Sequence, residues 1–122
     1  MKNKSILIVD DDQGMLDIID KYVRHMGYQT RKTLDGLEAI KILQEEDCDF
    51  GLLITDLVMP NLSGPKLIKI VRKEYSQIKI IACTGYGKNA GQFADDAGAD
   101  AILYKPLAMY QLEKTIDLSF RK

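Results

Sequence analysis

Short apolar runs alternate with amphipathic segments along the chain, and this alternation limits the fold more than any other feature of the sequence. Five runs are short enough for strands, and they cover residues 5–10, 28–33, 50–56, 78–84 and 101–104. Each is followed by a segment whose apolar residues recur at helical spacing, at 14–26, 35–46, 64–75, 88–97 and 107–121. The pattern therefore predicts five successive β–α units.

Apolar strands separated by helices are typical of a parallel sheet that is covered on both faces. Right-handed crossover connections leave few ways to order such strands. We therefore expect an α/β, doubly wound (βα)₅ fold of the flavodoxin-like kind, with five parallel strands in the order 2-1-3-4-5. Residues 1–122 leave no room for a linker, a repeat or a second domain, so one domain is expected.

The charge balance and the lack of long apolar runs disfavour several classes of function. The chain has a formal net charge of −1 at pH 7, so no overall field attracts nucleic acid or an anionic membrane. No apolar run approaches the roughly 20 residues that a membrane-spanning helix needs. The first residues, MKNKS, lead directly into a predicted strand and lack the layout of a signal peptide. We therefore expect a cytoplasmic protein without direct membrane or nucleic-acid binding.

The two cysteines, Cys48 and Cys83, indicate neither a disulfide framework nor a zinc site. A chain of this length can build a core without disulfides, and free cysteine usually behaves as a small apolar residue. The sequence has one histidine and no closely spaced cysteine pair, which argues against zinc. Both thiols are expected to be reduced and at least partly buried.

Chemically reactive residues occupy the carboxyl ends of the predicted strands, which is where ligands bind in sheets of this kind. Strand one ends at Asp10 and Asp11, strand three at Asp56, strand four at Thr84 and strand five at Lys105. In the order 2-1-3-4-5 these four strands are neighbours, so their ends converge on one crevice. The sequence therefore predicts a site with three carboxylates, one hydroxyl and one ammonium group.

This combination of groups favours metal-assisted phosphoryl transfer. Carboxylate oxygens suit Mg²⁺, a hard cation that also binds phosphate oxygens. Lys105 would offer a compact positive charge to a phosphoryl group, and an aspartate can serve as the nucleophile that forms an aspartyl-phosphate. Positioning and charge neutralisation are the main contributions of a protein to such reactions.

Four motifs, in this order and at these spacings, resemble the receiver domain of two-component response regulators. They are ILIVDDD (6–12), LLITDLVMPNLSG (52–64), IIACTGYG (80–87) and LYKP (103–106), and the resemblance covers essentially the whole chain. It implies a regulatory phosphoacceptor domain rather than an enzyme in its own right. It also implies Mg²⁺ as the cofactor and a sensor histidine kinase or phosphotransfer protein as the partner.

The resemblance assigns the metal site position by position. Asp56 occupies the phosphoacceptor position of the family. Asp11 occupies the position of a direct Mg²⁺ ligand, and Asp10 that of its acidic partner, which often acts through a bound water. Val58 would offer its backbone carbonyl to the metal, so that an apolar side chain is permitted there.

The same resemblance assigns the groups that would bind the phosphoryl oxygens. Thr84 matches the switch hydroxyl of the family, and Gly85 matches the small residue whose N–H reaches a phosphate oxygen. Lys105 matches the lysine that precedes a proline. The Lys105–Pro106 bond is a candidate cis peptide, because cis peptides are confined almost entirely to X–Pro bonds.

Three positions either depart from the family pattern or match positions that affect the rate of self-hydrolysis in the family. The family usually has Tyr or Phe where this chain has Ile102, which puts the usual coupling between the switch hydroxyl and an aromatic residue in question. In the family, the side chains two residues after the acceptor and two after the switch hydroxyl tune self-hydrolysis, and here they are Val58 and Tyr86. Neither readily positions an attacking water, so a long-lived phosphorylated state is expected.

Two further features have simple structural interpretations. Asp12 directly precedes the first predicted helix, so we expect its side chain to be the helix N-cap. The basic residues of the third predicted helix are expected to form a solvated face rather than a nucleic-acid contact, and they are Lys66, Lys69, Arg72 and Lys73.

Four interpretations compete at this point. The first is a phosphoacceptor module that switches a surface made by the fourth helix, fifth strand and fifth helix, with a downstream effector and a phosphorylation-dependent homodimer left open as partners. The second is an aspartyl-phosphate hydrolase, which needs a general acid or base where Val58 stands. The third is a nucleotide- or flavin-binding fold, which needs a glycine-rich phosphate loop where DDDQG stands. The fourth, a pseudo-receiver adaptor, is disfavoured by the complete acidic set.

Overall fold

The computed structural model describes residues 5–45, 49–59, 61–85, 92 and 94–120. Its strands are β1 (Ser5–Val9), β2 (Gln29–Thr33), β3 (Phe50–Asp56), β4 (Lys79–Thr84) and β5 (Ala101–Tyr104). Its helices are α1 (Gln13–His25), α2 (Gly36–Leu43), α3 (Gly64–Glu74) and the C-terminal helix (Met109–Phe120). Residues 94–97 are also helical.

The five strands form one parallel sheet in the order β2-β1-β3-β4-β5, which confirms the predicted architecture. The element bounds agree with the sequence pattern to within about three residues. The largest difference is in α2, which ends at Leu43 because Gln44 closes the helix. Most of the predicted helix 88–97 lies outside the described residues. None of the helices in the described part of the chain is long and apolar enough to cross a membrane.

Each face of the sheet carries its own apolar core. Leu7 and Val9 point to the face covered by α2, α3 and residues 94–97. Ile6 and Ile8 point to the opposite face, which α1 and the C-terminal helix cover. All residues of β3 are buried, because this strand lies in the middle of the sheet. Each buried Leu or Ile side chain stabilises the fold by roughly 1.5–3 kcal/mol relative to an exposed one.

Polar side chains define where three helices begin. Each accepts a hydrogen bond from a backbone N–H in the first turn: Asp12 from Met15 at 3.2 Å, Asp35 from Leu37 at 2.8 Å, and Ser63 from Lys66 at 3.4 Å. Such caps satisfy N–H groups that have no partner within the helix. The structure thus places Asp12 at the N-cap of α1.

Arg72 does not belong to a solvated face, so the prediction for the basic residues of α3 was wrong at this position. Its guanidinium donates to the carbonyl oxygens of Gly98 (2.9 Å) and Ile78 (3.2 Å) and to Asp100 Oδ2 (2.6 Å). Asp100 Oδ2 also accepts the N–H of Ile80 at 2.8 Å. Arg72 therefore ties α3 to the segments around β4 and β5, whereas Lys66, Lys69 and Lys73 are exposed.

Candidate functional site

Three carboxylates meet at the carboxyl edge of the sheet. Asp10 follows β1, and Asp56 ends β3, which is hydrogen-bonded to β1. One oxygen atom from each of Asp10, Asp11 and Asp56 lies within 4.8 Å of the others. Asp10 and Asp56 are 1% and 6% exposed, whereas Asp11 is exposed to solvent. The group is therefore buried on one side and open to solvent on the other.

Among the described residues, one ammonium group faces the two buried carboxylates. Lys105 Nζ lies 3.2 Å from Asp10 Oδ2 and 3.5 Å from Asp56 Oδ2. Lys105 follows β5 directly, its N–H donates to the carbonyl oxygen of Thr84 at 2.7 Å, and its bond to Pro106 is cis. Within the described part of the chain, three carboxylates against one ammonium leave an excess of negative charge when all of them are ionised, and a divalent cation would offset it.

Burial and neighbouring opposite charges have opposing effects on the pKa values of Asp56 and Lys105. Burial raises the pKa of Asp56, Lys105 opposes that rise, and the charge of Asp10 adds to it. Burial lowers the pKa of Lys105, but Asp10 and Asp56 outweigh this effect and hold the pKa above its ordinary value. Lys105 therefore stays charged at neutral pH, and Asp56 is a carboxylate that a nearby cation would stabilise.

The donor set fits Mg²⁺. It consists of carboxylate oxygens, the hard ligands that this cation prefers, and it opens to solvent at Asp11. Backbone N–H groups orient the two buried carboxylates, because Asp56 Oδ1 accepts from Leu57 at 2.8 Å and Asp10 Oδ1 accepts from Asp12 at 2.9 Å. Asp12 does not belong to the acidic group among the described residues and caps α1 instead.

The fourth and fifth strands bring the remaining predicted residues to the same edge. Thr84 ends β4 with a completely buried side chain, and exposed Gly85 follows it. A side chain on Gly85 would begin 3.6 Å from Cβ of Lys105, so these two positions are neighbours. Cys83 lies beside Asp56 in the strand register, and burial raises the pKa of its thiol to about 12, which leaves it un-ionised. Cys48 lies outside the described residues.

The positions that depart from the family pattern differ in exposure. Ile102 pairs with Ala82 in the sheet, two residues before Thr84 along β4. Its side chain is partly buried against the core shared with α2 and α3. Val58 comes two residues after Asp56, and its side chain is 50% exposed. Tyr86, the other position expected to tune hydrolysis, lies outside the described residues.

In the loop between β3 and α3, the described residues 57–59 and 61–63 carry two contacts that the sequence did not reveal. Gly64 donates its N–H to the carbonyl oxygen of Leu57 at 3.0 Å, which closes the loop at its base. At its outer end, Asn61 Nδ2 donates to Asp35 Oδ2 at 3.0 Å, and Asn61 has a φ of 68°. Asn is among the few non-glycine residues that adopt this conformation readily, but its partner is 26 residues away, so no local signal indicates the contact.

A family model described as the response regulator receiver domain matches residues 6–117. The chain belongs to this family. This receiver domain is 32% identical to chemotaxis protein CheY-3 of Vibrio cholerae over 125 aligned positions, which cover 99% of the chain and 95% of that protein. The predicted family is therefore confirmed.

Two other relatives are longer than the receiver domain. Sensor kinase CckA of Brucella abortus is 31% identical, with 92% of this chain matching 12% of that protein. Response regulator SaeR of Staphylococcus aureus is 31% identical, with 88% of this chain matching 46% of that protein. The chain thus spans almost all of CheY-3 but less than half of these two proteins.

Solved structures share the same fold. A CheY-like receiver domain protein from Methanospirillum hungatei superposes with a TM-score of 0.87 at 31% identity, over 95% of this chain and 92% of that one. Chemotaxis protein CheY4 of Vibrio cholerae superposes with a TM-score of 0.87 at 26% identity, over 97% and 99%. The flavodoxin-like receiver fold predicted from the sequence is confirmed, and the family membership places the chain in two-component signalling.

Proposed function

We propose that this receiver domain accepts a phosphoryl group on Asp56 from the phosphohistidine of a sensor histidine kinase or a phosphotransfer protein. The observation that carries the proposal is the convergence of Asp10, Asp11 and Asp56 within 4.8 Å, with Lys105 against the two buried carboxylates. In this proposal, residues 1–122 act as one domain that passes a signal to an effector.

Asp10, Asp11, Asp56 and the backbone carbonyl of Val58 would hold Mg²⁺. Bound there, the cation would neutralise charge on the phosphoryl oxygens. A carboxylate oxygen of Asp56 attacks phosphorus, the P–N bond to the donor histidine breaks, and the histidine nitrogen keeps the electron pair. Leu57 donates its N–H to Asp56 Oδ1 and so holds the nucleophile in one orientation.

Lys105, Thr84 and Gly85 would receive the phosphoryl oxygens. Lys105 now shares its charge between Asp10 and Asp56, and once Asp56 is an acyl phosphate the ammonium can pair with a phosphoryl oxygen instead. Thr84 and Gly85 lie at the neighbouring strand end, where a hydroxyl and a backbone N–H can complete the set. These contacts would couple the charge on Asp56 to β4 and β5.

Phosphorylation would then shift a two-state equilibrium at the surface formed by residues 94–97, β5 and the C-terminal helix. Ile102 is partly buried in this region, so the shift would proceed without an aromatic residue at that position. An effector, or a second copy of the chain, would bind the altered surface. A regulatory role is favoured over a hydrolase, because Val58 offers no general acid or base beside the acceptor.

The experiment is to incubate the protein with acetyl phosphate and Mg²⁺ and to measure its intact mass. We expect one added phosphoryl group in the wild type, none in Asp56→Asn, and a strongly reduced yield in Asp11→Asn. Asp12→Asn is the matched control, because asparagine caps a helix as well as aspartate does, and it should load like the wild type. No addition to the folded wild type, or full addition to Asp56→Asn, would overturn the proposal.

A further inference from the structure

The loop between β3 and α3, described at residues 57–59 and 61–63, is held firmly at its base. Leu57 is buried, its N–H donates to Asp56 Oδ1, and its carbonyl oxygen accepts the N–H of Gly64. Met59 is also buried in the core shared with α2 and α3. Val58, the residue whose carbonyl is proposed to bind Mg²⁺, therefore sits between two buried anchors.

The outer end of the loop contacts the start of α2. Asn61 Nδ2 donates to Asp35 Oδ2 at 3.0 Å. Asp35 uses its other oxygen to cap α2, because Oδ1 accepts the N–H of Leu37 at 2.8 Å. Beside this contact, a Cβ on Gly36 would lie 2.9 Å from the carbonyl oxygen of Leu62, so the loop and the helix start touch through their backbones. One carboxylate oxygen of Asp35 thus accepts a hydrogen bond from α2, and the other accepts one from the loop.

We propose that Asp35 and Asn61 are positioning residues for the Mg²⁺ site, acting through this hydrogen bond. The proposal rests on the proposed function, since it assumes that the loop supplies a carbonyl ligand to the metal. The bond is exposed, so its contribution to global stability is small, and its main effect falls on the conformation of the loop. Apparent metal affinity falls in proportion to the fraction of molecules whose loop is in the binding conformation.

The conformation of Asn61 supports a specific role for its side chain. With a φ of 68°, this residue adopts a backbone conformation that costs most residues free energy and that Asn and Gly tolerate. Asn61→Gly keeps the backbone conformation accessible and removes the hydrogen bond. Asp35→Ser keeps a hydroxyl that can cap the helix but leaves no second oxygen to accept from Asn61.

The experiment titrates Mg²⁺ alone into the wild type and its variants by calorimetry, with urea unfolding of each variant measured in parallel. Asp35→Ser and Asn61→Gly should each weaken Mg²⁺ binding by about threefold to tenfold, the order of magnitude set by one hydrogen bond. In the double variant Asp35→Asn with Asn61→Asp, the amide oxygen at 35 still caps α2 and its NH₂ donates to the carboxylate at 61, so donor and acceptor are reversed. This variant should bind Mg²⁺ to within about twofold of the wild type.

The outcomes separate this proposal from the proposed function. If the wild type binds Mg²⁺, Asp11→Asn abolishes that binding, and both single variants bind like the wild type, the role of Asp35 and Asn61 is overturned while the function stands. If the reversed pair is as weak as the single variants, the hydrogen bond between them is not what matters and the proposal also fails. If the folded wild type binds no Mg²⁺, both proposals fall together.

Discussion

A Cβ atom on Gly64 would lie 2.3 Å from the carbonyl oxygen of Asp56 and 2.5 Å from Cα of Leu57. The first residue of α3 is therefore packed backbone against backbone on the end of β3. No side chain fits between them without moving one of the two elements. The position of the candidate phosphoacceptor thus depends on a glycine eight residues further along the chain.

We predict that Gly64→Ala destabilises the protein by roughly 1–3 kcal/mol or more, because the methyl group must displace backbone rather than a flexible side chain. Gly14→Ala is the control: this glycine lies exposed in α1, and a Cβ there would lie 3.4 Å from Asp12 Oδ1, an ordinary van der Waals distance. The control should be stabilised by about 0.5–1 kcal/mol. Urea unfolding measures both, and equal stabilities for the two variants would contradict the prediction.

Asp56→Asn should stabilise the metal-free protein at pH 7 by about 1 kcal/mol, a typical size for a single substitution. The reason is that burial and the charge of Asp10 disfavour the ionised Asp56. Because burial raises the pKa of Asp56 in the folded state, the folded protein binds more protons than the unfolded chain between the ordinary and the raised pKa. The free energy of unfolding of the wild type therefore rises as the pH falls through that window.

The advantage of Asp56→Asn should accordingly shrink as the pH is lowered from neutral towards the ordinary pKa of aspartate. Adding Mg²⁺ at pH 7 should also reduce it, since a ligand that binds only the folded wild type stabilises that protein. Thermal or urea unfolding across pH, with and without Mg²⁺, measures both effects. A difference that stays constant with pH would show that the charge of Asp56 is not its cause.

Lys105→Met should affect metal binding and phosphorylation in opposite directions. The ammonium competes with a cation for Asp10 and Asp56, so its removal should tighten Mg²⁺ binding. The same removal deprives the phosphoryl oxygens of a charged partner, so loading from acetyl phosphate should slow by about tenfold or more. Calorimetry and intact-mass kinetics measure the two quantities. Lys69→Met, an exposed position on α3, should change neither.

Arg72→Lys should destabilise the protein by roughly 1–3 kcal/mol, although it keeps the positive charge. An ammonium group cannot reproduce the planar set of donors that reaches Gly98, Ile78 and Asp100 together. Lys73→Ala, one residue further along α3 and exposed, should stay within about 0.5 kcal/mol of the wild type. Urea unfolding compares them, and an unchanged Arg72→Lys would show that charge alone suffices.

The phosphorylated state should be long-lived, and Val58→Asn should shorten its lifetime several-fold. The Val58 side chain is half exposed, and it could shield the acyl phosphate where an amide could orient an attacking water. Val58→Ala removes the shield without adding an amide, so the pair of variants separates the two effects. The measurement is the decay of the acyl phosphate after loading. A rapid decay in the wild type that Val58→Asn leaves unchanged would contradict the predicted role of Val58.

Regular periodicity explains why the fold could be predicted. The run at 50–56 matches β3 residue for residue, because a strand buried on both faces must be continuously apolar. The weaker run at 28–33 still corresponds to β2, which begins at Gln29 and lies at the edge of the sheet, where most of its side chains face solvent. The helix predicted over 35–46 is longer than α2, which ends at Leu43 with Gln44 as its C-cap. The end was missed because helix ends carry only a weak local signal.

The acidic group could be predicted for a different reason. Asp10, Asp11 and Asp56 occupy strand ends, and the order of a doubly wound sheet decides which strand ends meet. Arg72 shows the limit of such reasoning. Its spacing along α3 resembles that of the exposed lysines, while Gly98 and Asp100, which it contacts, lie 26 and 28 residues away.

By itself the sequence determined the fold class, the family and the residues that compose the acidic group, because periodicity and strand-end chemistry are properties of short segments and their order. Only the tertiary structure decided that Gly64 packs against Asp56, that Asp35 divides its oxygens between α2 and Asn61, and that Arg72 joins α3 to the segment before β5. These are contacts at ångström distances between residues on different elements. They depend on how the elements pack together, and that placement is the sum of many weak interactions that no single segment encodes.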